Sequence, residues 1–139
     1  MIRSSKLATC SLLLSMITMI SCHPANDTTN QTALQRLKSG GLEVALLSPR
    51  DALQHGSDMF TIEFRSADGN RIDVGNVRSS ASMPMPGMPM FGSIDVHRTS
   101  VLGQYTADAK FEMAGTWQMT IEWDGPAGHG ALKFSQMVH

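Results

Sequence analysis

Cysteine is nearly absent from this chain of 139 residues, which contains only Cys10 and Cys22. The chain beyond residue 22 can therefore form no internal disulfide, no zinc site with thiolate ligands and no cysteine nucleophile. A domain built from that part must be stable through its hydrophobic core alone, and about a hundred residues are enough for such a core.

Basic clusters are missing as well. The chain has 11 lysine and arginine residues against 12 aspartate and glutamate residues, and it contains no polybasic run. Proteins that bind nucleic acids neutralise phosphates with a basic patch or stripe. The sequence therefore gives no support for a nucleic-acid partner.

No apolar run is long enough to cross a bilayer as a helix, for which about 20 residues are needed. One mostly apolar run, Leu7 to Ile20, follows a positive start formed by Arg3 and Lys6. This layout is typical of a secretory signal peptide, and we assign residues 1–21 to it. The alternative, an uncleaved membrane anchor, is disfavoured by the length of the run.

The residues before Cys22 carry a further signal. Met19-Ile20-Ser21-Cys22 resembles the bacterial lipobox, whose last residue becomes a lipid-modified N-terminal cysteine, although leucine is more usual than methionine at its first position. The resemblance implies a lipoprotein of the cell envelope that faces the periplasm or the extracellular space. The alternative is ordinary secretion, which would leave an exposed free thiol.

Residues 22–39 are polar and carry few large apolar side chains, which predicts a flexible tether. A helical turn over Ala33 to Lys38 would be too short to be stable alone. The hydrophobic period changes to two residues near Gly40, so we place the domain at residues 40–139.

Apolar and polar residues alternate in seven short segments of this domain, and turn residues separate the segments. Such alternation indicates strands with one buried and one solvated face. We therefore predict an all-β domain, a seven-stranded immunoglobulin-like antiparallel β-sandwich. The segments are centred on residues 42–46, 60–64, 72–74, 94–96, 105–111, 117–123 and 132–138.

One stretch breaks the alternation. Residues 83–90, here called the Met-Pro loop, contain four methionines and three prolines. Proline is excluded from helix interiors and central strands, so the stretch is predicted to be a loop at the surface or at an edge. Methionine is usually buried, however, and four of them on a loop require an explanation.

A copper site is one explanation. Thioether sulfur is a soft, neutral donor that suits Cu(I), and no proton has to leave it before it binds. Prolines stiffen the loop and reduce the ordering cost of binding. Among the histidines, His55 and His129 are weaker candidates, and His23 and His139 lie in terminal segments. The predicted ligands are Met83, Met85, Met88, Met90 and His97.

Two other interpretations of the loop remain open. Methionine fills irregular gaps and packs on aromatic rings, so the loop can instead cap one end of the sandwich, with its sulfurs against Trp117 or Phe91. It can also be an apolar contact surface for a protein partner, because exposed apolar clusters mark interaction sites.

Enzymatic function has the weakest support. The sequence shows no nucleophile elbow and no glycine-rich phosphate loop. Asp95 and His97 lie two residues apart on one predicted strand and should share a face, but a solvated polar face is the simpler explanation for them. We predict that the protein is not an enzyme.

A set of short motifs gives a family resemblance. In chain order they are Gly41-Leu42-Glu43-Val44, Leu53-Gln54-His55-Gly56, Met59-Phe60-Thr61-Ile62, Ala67-Asp68-Gly69, the Met-Pro loop, Gly103-Gln104-Tyr105 and Met113-Ala114-Gly115-Thr116-Trp117. Over residues 41–123 the chain resembles the YtkA-like domain family, which is similar to the FixH-type proteins linked to cytochrome oxidase assembly. The resemblance implies a β-sandwich outside the cytoplasm, with associations to copper and heavy-metal handling. The loop is unusually rich in methionine and lacks a Met-X-His pairing.

Together these features predict an extracytoplasmic lipoprotein with a non-enzymatic metal-binding module, in which the Met-Pro loop binds copper as Cu(I). The alternative is a protein-interaction module of a membrane-associated assembly or transport system, with the loop as an apolar contact surface. The expected partners are the membrane, through a lipid on Cys22, and, for the alternative, a membrane protein.

Overall fold

The computed structural model of the chain describes residues 30–139. The predicted signal peptide, the predicted lipidation site Cys22 and the first part of the predicted tether lie outside the described residues. Within residues 30–139, no helix is long and apolar enough to cross a membrane. The strands are β1 (Thr32–Ser39), β2 (Leu42–Ser48), β3 (Gly56–Ser66), β4 (Asn76–Met83), β5 (Met90–Arg98), β6 (Gln104–Phe111), β7 (Gly115–Gly125) and β8 (Gly128–Val138).

The strands pair antiparallel in the order β1-β2-β3-β6-β5-β4-β7-β8. Strand β5 belongs to both layers of the sandwich, because Met90 to Gly92 pair with β4 and Ser93 to Arg98 pair with β6. The outermost strands, β1 and β8, approach each other, and the Gln35 side-chain amide donates a hydrogen bond of 2.6 Å to the main-chain oxygen of Ser135. The sandwich is therefore nearly closed.

Aromatic side chains fill the space between the two layers. Trp117 and Trp123 point inward from β7 and are buried. Phe111 approaches Trp117 with ring centroids 5.3 Å apart, and Phe64 meets Trp123 edge-on at 5.5 Å. Tilted and edge-to-face contacts are the favoured geometries of aromatic pairs. The prediction of an all-β, immunoglobulin-like antiparallel sandwich is confirmed.

The strand count differs from the prediction, because the described residues contain eight strands and not seven. Strand β1 was missed because its residues are mostly polar, with Leu34 packed only partly against the core. Main-chain pairing with β2 holds it in place. The folded region therefore begins before the predicted boundary at Gly40, and the predicted tether over residues 22–39 includes a strand.

Strand β4 was also missed, and the predicted strand over residues 72–74 does not exist. In β4, serines surround the inward-facing Ala81, so the alternation is hard to recognise. In the connection after β3, Val74 is buried and Ile72 donates a main-chain hydrogen bond of 3.1 Å to the oxygen of Phe64. Its apolar pattern reflects burial of a connection and not a strand in a sheet.

Candidate functional site

The Met-Pro loop forms the end of the β4–β5 hairpin. Strand β4 ends at Met83 and strand β5 begins at Met90, and these two residues are directly paired. Directly paired residues project from the same face of a sheet. Here it is the inner face, because Met83 is 9% exposed within the core and Met90 packs, partly buried, against that core. We call these two residues the anchor pair.

A glycine on β7 makes room for the anchor pair. A Cβ atom added to Gly115 would lie 2.8 Å from the Cε atom of Met83 and 3.7 Å from its sulfur. Gly115 also has a φ of 140°, a conformation that other residues rarely adopt. The Met83 side chain therefore fills a space that exists because residue 115 has no side chain.

The residues between the two members of the anchor pair form a tight turn. Pro86 and Gly87 occupy its two central positions, and Gly87 has a φ of 81°. Proline followed by a glycine with positive φ is the signature of a type II turn, whose first and fourth Cα atoms lie less than about 7 Å apart. Those outer positions belong to Met85 and Met88, which are 41% and 75% exposed. We call them the tip pair.

The four methionines therefore have two different environments. The anchor pair closes one end of the sandwich, as the capping interpretation of the sequence anticipates. The tip pair presents two neighbouring thioethers to solvent, which both the metal and the protein-contact interpretations require. The strands end at Met83 and Met90, and the turn beyond them separates the two pairs.

His97 lies at the other end of β5. Seven residues separate it from Met90, which corresponds to about 23 Å along an extended strand. Its Nε2 atom lies 3.5 Å from the Oδ2 atom of Asp108 on β6, and both side chains are exposed. Contrary to expectation, His97 does not return to the end of the sandwich that carries the Met-Pro loop, because the uninterrupted strand β5 separates them.

The polar face beside His97 has no further metal-binding features. Asp95 lies directly opposite Asp108 on the same outer face, as the two-residue spacing from His97 predicts. Among residues 30–139, no group of three or more histidine, cysteine, aspartate and glutamate side chains is placed to hold a metal ion.

Phe91, one of the two aromatic residues considered above as packing partners for the methionine sulfurs, is a surface residue. It follows the inward-facing Met90, pairs with Ser82, and is 72% exposed on the outer face of the hairpin. It therefore lies on the opposite face of the hairpin from Met83 and Met90, and its ring does not pack on their sulfurs inside the sandwich. Alternation from an inward Met90 would have indicated this orientation.

Charged residues form a network at the opposite end of the sandwich. The buried Glu63 carboxylate accepts hydrogen bonds from Gln104 at 2.6 Å, Arg71 at 2.9 Å and Arg65 at 2.5 Å. Burial raises the pKa of Glu63, but these three donors together outweigh it and hold the pKa below its usual value.

A second network lies beside the first. The Arg98 guanidinium donates to Asp73 at 2.7 Å and to the main-chain oxygen of Gly75 at 2.9 Å, and it lowers the pKa of Asp73. The Tyr105 hydroxyl donates to the same oxygen of Gly75 at 2.9 Å. Burial, together with the Asp73 charge, raises the pKa of Tyr105.

Comparison with known families gives one match. A family model described as YtkA-like matches residues 36–122, which is more than half of the chain. The matched segment begins within β1, ends within β7 and includes the Met-Pro loop. No curated protein shows a significant match to the chain.

Two solved structures are similar to the chain. One is FetP from uropathogenic Escherichia coli strain F11, expressed recombinantly in the periplasm of E. coli BL21(DE3), with a TM-score of 0.48 and 13% identity over 76% of this chain and 93% of that one. The other is the C-terminal domain of ZirS, with a TM-score of 0.43 and 14% identity over 99% of this chain and 87% of that one. No functional statement about the chain follows from similarities at this level.

Proposed function

The chain belongs to the YtkA-like family, and on that premise we propose that it is an extracytoplasmic, non-enzymatic module that binds copper as Cu(I) through the Met-Pro loop. The proposal rests on one observation above all. Met85 and Met88, both exposed, occupy the outer positions of one proline-stiffened turn. Two soft donors are thus held close together where an ion in solution can reach them.

The chemistry of the donors favours Cu(I). Thioethers are neutral and soft, and in proteins they select Cu(I) over harder divalent ions. After Cys22, methionine is the only residue type in the chain that contains sulfur. The tip pair is therefore the most accessible set of soft ligands within the Met-Pro loop.

The remaining residues of the loop hold the tip pair in position. Each of Pro84, Pro86 and Pro89 fixes its own φ, so the loop loses less conformational entropy when it binds an ion. The anchor pair holds both ends of the loop in the core. We therefore assign Met85 and Met88 as ligands and Met83 and Met90 as positioning residues, and we leave His97 out of the site.

The location outside the cytoplasm is part of the same proposal. Residues 1–21 serve as a signal peptide, and Cys22 carries the lipid that attaches the protein to a membrane of the cell envelope. Fractionation of cells that produce Cys22→Ala should move the protein from the membrane fraction to the soluble fraction. Unchanged membrane attachment would contradict the lipid anchor.

A competition titration tests the copper site. Purified protein is titrated with Cu(I) in the presence of a competing chelator, and the Met85→Leu/Met88→Leu variant is compared with wild type. Leucine keeps the apolar volume and removes the sulfur, so we expect the affinity to fall by about 100-fold, equivalent to about 2.7 kcal/mol.

The matched control replaces two exposed methionines outside the loop, Met59→Leu/Met137→Leu. This variant should bind Cu(I) as wild type does. Equal affinity of the tip variant and wild type would refute the proposal, and an equal loss in both variants would show that surface methionines bind Cu(I) without a defined site.

A protein-interaction module is the second candidate. It is favoured by the position of Phe91, which is 72% exposed on the hairpin that also carries the 75% exposed Met88. Exposed apolar groups that lie together mark contact surfaces. Leucine at the tip pair should preserve binding of a membrane protein partner, whereas Met88→Asp or Phe91→Asp should abolish it. If the tip pair instead binds copper, the same leucine substitutions should remove the function, because they remove the sulfur ligands.

A further inference from the structure

Two histidines far apart in sequence are fixed next to each other. The main-chain N–H of His139 donates to the oxygen of Leu53 at 2.8 Å, and the N–H of His55 donates to the main-chain oxygen of His139 at 2.6 Å. His139, which was set aside as terminal, is therefore held by main-chain hydrogen bonds. Both histidine side chains are exposed.

These histidines lie at the same end of the sandwich as the Met-Pro loop. Gly56, the residue after His55, pairs with Phe111 at the end of β6, the strand that runs beside β5. Val138, the residue before His139, pairs with Gly115, against which Met83 packs. The other two described histidines, His97 and His129, lie on the opposite end.

The ring of His55 is oriented as in a metal ligand. Its Nδ1 atom lies 2.9 Å from the main-chain oxygen of His139. A main-chain oxygen only accepts, so in this contact Nδ1 carries the proton, and the neutral ring keeps a free lone pair on Nε2. Histidines that bind metals commonly donate their other ring N–H to a main-chain oxygen in the same way, which fixes the tautomer and the ring orientation.

From this geometry we infer that His55 and His139 form a site for a divalent transition-metal ion, distinct from the thioether site of the tip pair. Nε2 of His55 is one ligand, an imidazole nitrogen of His139 is the second, and water completes the coordination. Imidazole suits Cu(II), Ni(II) and Zn(II), and the general order of affinities makes Cu(II) the tightest-bound of these ions. The inference does not depend on Cu(I) binding at the tip.

A titration with Cu(II) tests the site. Untagged protein carrying His23→Ala, so that this additional imidazole does not contribute, is titrated by calorimetry and followed by electron paramagnetic resonance. His55→Asn is the informative variant, since the asparagine amide can still donate to His139 but offers no counterpart of Nε2. We expect His55→Asn and His139→Gln each to weaken Cu(II) binding by about tenfold and to remove nitrogen couplings from the spectrum.

Two controls separate this site from others. His129→Gln, at the opposite end of the sandwich, and the Met85→Leu/Met88→Leu variant should both bind Cu(II) as the parent protein does. Wild-type affinity in His55→Asn and His139→Gln would overturn the inference, and so would an equal loss in His129→Gln. Because the tip variant is measured with Cu(I) in a separate experiment, either site can fail without the other.

Discussion

The two ends of the sandwich differ in how their functional groups are engaged. At the end opposite the Met-Pro loop, charged and polar groups bind one another, as Glu63 binds Arg65, Arg71 and Gln104. At the end that carries the loop, the tip pair is exposed, and His55 uses one ring nitrogen for a main-chain oxygen. The first arrangement stabilises the fold, whereas the second leaves donor atoms accessible to a ligand.

The same contrast occurs within the Met-Pro loop itself. Met83 and Met90 lie on the inner face of a hairpin, and Met85 and Met88 lie beyond the last pair of that hairpin. One residue type therefore serves packing at two positions and remains available at two others. Substitutions that separate stability from metal binding test this difference between the two pairs.

Removal of Glu63 should have the largest effect. Glu63→Ala deletes the acceptor that Arg65 and Arg71 share and breaks a buried ion-pair network, which typically costs about 3–5 kcal/mol. The measurement is the free energy of unfolding in urea. Cu(I) affinity at the tip pair should remain that of wild type whenever the variant is folded, and a parallel loss of affinity would mean that the two ends are coupled.

Truncation of a member of the anchor pair should have the next largest effect. Met83→Ala leaves a cavity beside Gly115 and is expected to lower the free energy of unfolding by about 2–3 kcal/mol. Met85→Ala, at an exposed position of the same loop, should change it by less than about 0.5 kcal/mol. Similar changes in the free energy of unfolding for the two variants, measured by urea denaturation, would contradict the division into an anchor pair and a tip pair.

Acid should weaken the stabilisation that the Glu63 network gives the fold. The pKa of Glu63 is lower in the folded protein than its ordinary value of about 4.3, so its contribution to stability is complete above that value. The contribution should disappear as the pH falls from about 4.3 through the lower folded pKa. Thermal unfolding of wild type and Glu63→Gln between neutral and acidic pH measures it, and the difference between them should shrink as the pH decreases.

The smallest effect is expected for the exposed pair on the outer face. His97→Gln removes the contact with Asp108, and exposed ion pairs contribute at most about 1 kcal/mol. We expect a change in the free energy of unfolding below about 0.5 kcal/mol, and no change in binding of Cu(I) or Cu(II). A large loss of metal affinity would return His97 to the site.

Sequence reasoning succeeded where the pattern was local. Alternation around Trp117 and Trp123 predicted β7, and the prolines of residues 83–90 predicted a loop between strands. It failed for β1 because main-chain pairing with β2 compensates for polar side chains there. It also misplaced His97, because a distance of seven residues does not tell whether the chain turns back or continues as a strand.

The all-β class, the exclusion of thiolate chemistry and the presence of a methionine-rich loop follow from the sequence alone, since composition and a two-residue period are properties of neighbouring residues. Folding of the whole domain fixes which methionines are buried, because that depends on the Met83–Met90 pairing and on the space beside Gly115. It also brought His55 to His139, which are 84 residues apart. Contacts of that kind arise when distant strands pack together, and no local pattern encodes them.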